Sequence, residues 1–228
     1  GDLWRINIQI EVEAFEDCNK DLSVSFMKGS LEKKISIKKG IAIYKESFTV
    51  KYDDIELWWP NGFGKQHRYP FSISLGEEKI SKMIGFREIS VKNDVRLGGK
   101  ELTVSVNGRP IFMKGAIWVP QDALPSRITA RRYEKLIEAM AHAKMNMVRV
   151  WGGGLYEFDA FYNECDRLGI LVWQDMMFAN SIYPATPEFL SSVEKEARCQ
   201  IRRLKDHPSI ALWCGNSEGL SALDQFDE

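Results

Sequence analysis

The sequence has no close pair of cysteines. Cys18, Cys165, Cys199 and Cys214 are scattered without a Cys-x-x-Cys spacing. A chain of this length needs no disulfide framework, so they read as buried or idle thiols. Histidine is scarce as well. His67, His142 and His207 lie far apart with no ligand spacing, which argues against a metal site; His142 and His207 read as structural. No sign of charge predominates: 31 Lys and Arg stand against 32 Asp and Glu, for a net charge of -1. No basic surplus exists to draw in nucleic acid, and there is no acidic tail. No apolar run approaches the ~20 residues of a membrane helix. The opening Gly1-Asp2-Leu3-Trp4-Arg5 lacks the basic start and apolar stretch of a signal peptide. Because the chain starts inside a strand, that absence says little about compartment.

What is present has a globular balance, with 44% hydrophobic and 28% charged residues. The 228 residues suit one large domain or two smaller ones. Up to about residue 85 the apolar residues alternate with polar ones, as in half-buried strands. The runs are Trp4 to Val12, Leu22 to Phe26, Ile35 to Ile37, Phe48 to Tyr52 and Phe71 to Leu75. Turn residues at 17–19, 28–30 and 60–62 separate them. Six or seven such strands predict an immunoglobulin-like sandwich over residues 1–88. Its lysines at 28, 33, 34, 38 and 39 read as a solvated face.

Beyond Glu88 the texture changes. Leu102, Val104 and Val106 lead into Asn107-Gly108, a strong hairpin signal, and the chain returns through Ile111-Phe112-Met113. Helices are predicted over 130–143 with Thr129 as N-cap, over a stripe from Phe158 to Leu168 closed by Gly169, and from Thr186-Pro187 to before Pro208. Short apolar strands at 111–117, 147–151, 170–173 and 210–214 alternate with them. Four β/α units imply a parallel sheet, either doubly wound or half of an eight-stranded barrel. The strands end in Trp118, in Arg149 and Trp151, in Asp175, and in Asn216 and Glu218. Several strands contributing to one face favours part of a (β/α)8 barrel over residues 89–228.

Aromatic faces beside carboxylates suit a sugar, which has apolar C–H faces and a rim of hydroxyls. Glycoside hydrolysis needs a carboxyl group that protonates the leaving oxygen, and Glu218 stands at the fourth strand end. Met147, Arg149 and Trp151 share one strand face while Val148 and Val150 take the other. A guanidinium there must be paired, either structurally or with a catalytic carboxylate. Gly152-Gly153-Gly154 lacks the Lys-Ser/Thr of a phosphate loop and reads as a tight turn that admits a ligand or a neighbouring strand.

Five stretches then carry a resemblance: Leu57-Trp58-Trp59-Pro60-Asn61-Gly62, Gly85 to Ile89, Val148 to Glu157, Trp173 to Phe178, and Leu212 to Asn216. In this order they resemble β-mannosidases of glycoside hydrolase family 2. The resemblance implies a jelly roll first, then an immunoglobulin-like domain, then a (β/α)8 barrel, acting with retention on terminal β-linked mannose. This chain resembles the immunoglobulin-like domain plus the first half of the barrel. Its partners are then a β-linked oligosaccharide or glycoconjugate and the remaining parts of the parent, with no nucleic acid, membrane, metal or cofactor. Family members work in lysosomes, in the periplasm or outside the cell.

Position by position, the resemblance makes Glu218 the general acid/base and Arg149 the support of the nucleophile. Trp118, Trp151, Asp175 and Asn216 become substrate contacts. Two positions depart from the family pattern. Ser217 replaces the Asn that precedes the acid/base, with Asn216 one place earlier, and Ile117 replaces an Asn before the first-strand aromatic. The nucleophile is expected on a later strand, since Asp224, Asp227 and Glu228 follow the fourth strand too closely. Alternatives are the same fold acting on a β-glucosaminide or β-galactoside, or a non-catalytic carbohydrate-binding homologue.

Overall fold

The computed structural model describes residues 3–27, 29–96 and 99–217. They form two compact units, one from the segments up to Glu56 and His67–Phe86, the other from Leu57–Gln66 and the chain from Arg87 onward. Segment 57–66, which the sequence reading placed within the sandwich, therefore packs in the second unit.

In the first unit, β1 (Leu3–Ala14) pairs antiparallel with β4 (Gly40–Lys51). A second antiparallel sheet has the order β3 (Gly29–Ile37), β2 (Cys18–Phe26), β5 (Tyr69–Leu75), β6 (Glu78–Ile84). Period-two alternation puts Ile8, Leu22, Val24, Ile35 and Ile37 into a shared core, with Ile6, Ile10, Phe71 and Ile73 packed against it. Strand β6 lies beyond the last alternating run in the sequence. Nearly all its side chains are exposed, so no buried period marks it. Lys33, Lys34, Lys38 and Lys39 are exposed; Lys38 pairs with Asp17 at 2.7 Å. Lys28 lies outside the described residues.

The second unit opens with an antiparallel meander of β7 (Ile89–Arg96), β8 (Gly99–Val106) and β9 (Arg109–Ile111). Asn107 and Gly108 take φ of 51° and 76°, the left-handed pair that a two-residue hairpin requires. A four-stranded parallel sheet follows in sequential order: β10 (Gly115–Trp118), β11 (Met147–Val150), β12 (Leu171–Asp175) and β13 (Ile210–Cys214). The expected strand 111–117 is split in two. Asn146, fully buried, accepts from the Lys114 N–H at 2.8 Å and donates to the Phe112 carbonyl at 3.0 Å. Its side chain takes up the backbone groups that a continuous strand would have paired.

Helices α1 (Ala130–His142), α2 (Asp159–Leu168) and α3 (Pro187–Leu204) connect the parallel strands. Thr129 holds the N-cap position of α1 without a side-chain bond. Thr186 does cap α3, accepting from the Phe189 N–H at 3.4 Å. Gly169 ends α2 at φ 74°, where a side chain would strain the backbone. Val148, Val150 and Val172 pack with Ile137, Phe161, Tyr162, Cys165 and Leu204 between sheet and helices. Met147 and Leu171 point to the opposite face, where they meet Trp58, Val106 and Ile111.

Two of the family-like stretches pin the N-terminal ends of these strands. The buried Trp58 donates its indole N–H to the Asp166 carbonyl at 2.8 Å. The Asn61 amide donates to the carbonyls of Ala141 and Met145 at 3.0 and 2.9 Å, just before β11. Arg87 donates to the carbonyls of Pro208 and Ile210 at 3.1 and 2.8 Å; burial lowers its pKa from the usual arginine value. Asp166, also buried, meets His207 Nδ1 at 2.6 Å and accepts from the Ser209 N–H at 3.0 Å. His207 is thus held in a structural pair, as the sequence reading expected.

Asn61→Ala leaves two carbonyls without their amide donor. It should destabilise the second unit by about 1–3 kcal/mol. Urea unfolding should then show a lower midpoint at an unchanged slope. An unshifted midpoint would mean that water satisfies both carbonyls equally well.

Candidate active site

At the C-terminal ends of the strands the chemistry is different. Asp175 ends β12 with no exposed surface. Arg149 lies one strand over, in the cross-strand position opposite Trp173. Its Nε donates to both carboxylate oxygens of Asp175 at 3.1 Å, and its Nη2 lies 2.9 Å from Oδ2. Such two-pronged, charge-assisted contact fixes both groups in angle as well as distance. The guanidinium also sits 5.1 Å from the centre of the Trp173 ring, close enough for a cation–π contact. Among the described residues, no group of three or more His, Cys, Asp or Glu could hold a metal ion.

Ser217 joins the pair: its hydroxyl accepts from Arg149 Nη2 at 2.9 Å. The backbone holds it there, because the Ser217 N–H donates to the Phe178 carbonyl at 2.8 Å. A parallel bridge also links Ala179 with Ser217. Asn216 is exposed, and its carbonyl accepts from the Cys214 thiol. Glu218 lies outside the described residues.

At the Gly152-Gly153-Gly154 turn the close neighbour is the segment just past β12 rather than a strand. A Cβ on Gly152 would lie 2.5 Å from the Met176 carbonyl oxygen and 2.8 Å from that of Phe178. That close approach lets the Gly152 N–H donate to Asp175 Oδ2 at 3.2 Å. Gly153 lies under the indole of Trp151, whose ring carbons would be 2.2–2.5 Å from a Cβ there.

Trp118 departs from its expected place as a sugar contact. It pairs in register with Val150 and so shares the helix-facing side. Only 9% exposed, its ring packs against Tyr133 and Phe161. The residue beside the site is its neighbour Ile117, which pairs with Arg149. Strand parity is the physical reason: one residue's shift reverses the face.

Three further polar side chains near this end of the sheet are buried or bonded without being among the expected site residues. Glu157, 1% exposed, accepts from Trp118 Nε1 at 2.8 Å and from the Tyr133 hydroxyl. Gln174 accepts from the Tyr162 hydroxyl at 2.7 Å and donates to the Asp175 carbonyl at 2.9 Å. Asp122 organises the loop after β10, accepting from the Leu124 N–H, Arg132 and Arg127 at 3.0, 2.8 and 3.1 Å. Those donors, the Leu124 N–H first, hold its carboxyl well below the usual carboxylate range. None of the three follows from hydrophobic period; Glu157 and Gln174 lie in family-like stretches, and Asp122 has no such signal.

Gly152→Ala forces a methyl group against two backbone oxygens and should destabilise the second unit by roughly 1–3 kcal/mol. Gly215, which has open space around it, is the control: Gly215→Ala should stay within about 0.5 kcal/mol. Equal denaturation midpoints for the two variants would remove the close-approach argument.

No protein-family model matches the chain. β-Mannosidase B of Emericella nidulans is 45% identical over 188 residues, covering 80% of this chain and 22% of that protein. The β-mannosidase of Mus musculus is 39% identical, covering 96% and 26%. The crystal structure of a β-D-mannosidase from Dictyoglomus thermophilum matches with a TM-score of 0.86 at 38% identity, over 95% of this chain and 28% of that one. A β-glucuronidase from Bacteroides uniformis shares the fold, with a TM-score of 0.80 at 23% identity. The chain is a homologue of the β-mannosidases and spans about a quarter of the length of the relatives it matches.

Proposed function

We propose that the complete protein hydrolyses terminal β-linked mannose with retention of configuration, and that this chain supplies its acid/base and part of its sugar-binding surface. The observation that carries this reading is the Arg149–Asp175–Ser217 constellation at the strand ends, whose Ser217 immediately precedes Glu218 in the chain. In this reading the four parallel strands are the first half of an eight-stranded barrel, and the first unit is its immunoglobulin-like companion. Strand ends on one face are where such barrels gather catalytic groups.

Glu218 donates a proton to the glycosidic oxygen as a carboxylate from a later strand attacks the anomeric carbon. It then takes a proton from the water that releases the sugar. Arg149, anchored by Asp175, presents positive charge toward the nucleophile. Trp151 meets the sugar through its ring and Asn216 is a further contact, while Asp175, fully buried with its carboxylate held by Arg149 and the Gly152 N–H, acts by fixing the guanidinium rather than by touching the sugar. Trp118 is not part of the contact set, because its ring is buried on the helix side. Mannose is preferred over other β-glycosides because the relatives at 38–47% identity are β-mannosidases, whereas the glucuronidase match is one of fold.

Two outcomes test the reading. The 228-residue chain by itself should show no turnover of an aryl β-mannoside, since a retaining reaction needs both carboxyl groups; measurable hydrolysis would refute the division of labour. In the complete protein, Glu218→Ala should still accept a dinitrophenyl β-mannoside, whose leaving group departs without protonation. The glycosyl-enzyme should then accumulate, because no base activates water. Azide needs no deprotonation, so it should restore turnover and yield a β-mannosyl azide. Substrates with alkoxide leaving groups should stay unrescued. Equal losses on good and poor leaving groups, or no effect of azide, would remove Glu218 from the acid/base role.

A further inference from the structure

We propose that Glu157 is a positioning residue: with Trp118 it clasps segment 151–157 shut and so fixes the indole of Trp151 at the strand-end face. Trp118 holds both ends of this segment. Its carbonyl accepts from the Trp151 N–H at 3.2 Å, and its indole N–H donates to Glu157 Oε1 at 2.8 Å. Between these points the chain turns back on itself, with the Gly154 N–H donating to the Trp151 carbonyl at 3.0 Å. The Trp151 ring lies across Gly153. The same segment reaches the ion pair through the Gly152 N–H and Asp175 Oδ2.

The helices hold Glu157 from the other side. The Tyr133 hydroxyl of α1 donates to Oε2, and Arg203 Nη2 of α3 donates to the Glu157 carbonyl at 3.0 Å. Burial, then the bond to Glu157, pushes the Tyr133 phenol well above its usual range, so it remains a donor. Arg203 also pairs with Asp159 at 2.5 Å, two residues further along. A residue that merely filled this 1%-exposed place would be apolar, because burying a carboxylate is costly unless its bonds are used. Both carboxylate oxygens of Glu157 are used, by donors from two different elements. The acidic residue therefore sets the geometry of the loop, and Trp118 acts on the substrate face through it.

The kinetic part of the test rests on the function proposed above; the exchange part does not. Glu157→Gln keeps an acceptor for Trp118 and offers its amide N–H to the Tyr133 oxygen. In the complete protein its kcat/KM on an aryl β-mannoside should stay within about 3-fold of the unmodified enzyme. Glu157→Leu removes both acceptors, and its kcat/KM should fall by on the order of 10²-fold, chiefly through KM, since Trp151 contacts the sugar in ground and transition states alike. Hydrogen exchange should show lost protection at amides 152–156 with residues 171–175 still protected. If Glu157→Leu does not fold, Trp118→Phe removes the indole donor together with part of the ring packed on Tyr133 and Phe161, and should show the same loss of protection confined to 152–156. The proposal is overturned if protection at 152–156 and KM stay unchanged while only thermal stability falls, or if Glu157→Gln is as damaging as Glu157→Leu. An unmodified protein that cleaves no β-mannoside would sink the functional reading, and the exchange data would still decide the clasp.

Discussion

A guanidinium on the face of a parallel strand needs an anion within reach, and most of the strand-end geometry in the second unit follows from satisfying Arg149. An unpaired charge there would cost several kcal/mol, so a neighbouring strand must end in a carboxylate. Asp175 provides it from β12. That carboxylate is itself fully buried, so its oxygens need more than one donor, and the Gly152 N–H comes close enough only because residue 152 has no side chain. Ser217 then takes a further guanidinium N–H from beyond β13. One ion pair thus explains a glycine, a serine and the path of two loops.

The two ends of the parallel sheet are built on different principles. At the N-terminal ends, Trp58, Asn61 and Arg87 donate to backbone carbonyls of the segments leading into β11, β12 and β13. Those bonds carry no chemistry; they hold the connections at fixed heights. At the C-terminal ends, side chains bond chiefly to other side chains, through charge. The family-like stretches therefore divide into those at 57–62 and 85–89, which fasten the N-terminal ends, and those at 148–157, 173–178 and 212–216, which lie toward the C-terminal ends. A resemblance spread over the whole chain mixes both kinds, and only the structure sorts them.

Much of this was legible in the sequence, because local rules were enough for it. Period-two runs located five of the six strands in the first unit, and Asn107-Gly108 located the hairpin. The three helices begin and end within a few residues of their cap signals. The pairing of Arg149 follows from electrostatics alone; the resemblance makes Asp175 a sugar contact, and the structure buries it against the guanidinium instead. What stayed hidden depends on contacts between distant segments. The split of 111–117 is enforced by Asn146, more than thirty residues later. Segment 57–66 leaves the sandwich because its partners are Ala141, Met145 and Asp166. Glu157 looks like a surface acid until Trp118 and Tyr133 converge on it.

Register explains the misplaced tryptophan and gives Ile117 its meaning. Cross-strand pairing sets Ile117, Arg149, Trp173 and Leu212 in one row, and Trp118, Val150, Gln174 and Trp213 in the next. Adjacent rows face opposite sides of a sheet, so Trp118 and a strand-facing site are incompatible once Arg149 is placed in that site. Ile117 occupies the seat beside the guanidinium and brings no hydrogen-bonding group to it. The polar contacts described for Arg149 therefore come from the strand ends, at Asp175 and Ser217, and not from its own row. Ile117 and Trp173 are the cross-strand neighbours of Arg149, so the described polar contacts of the guanidinium are made past the row itself, where β12 ends at Asp175 and the chain beyond β13 reaches Ser217.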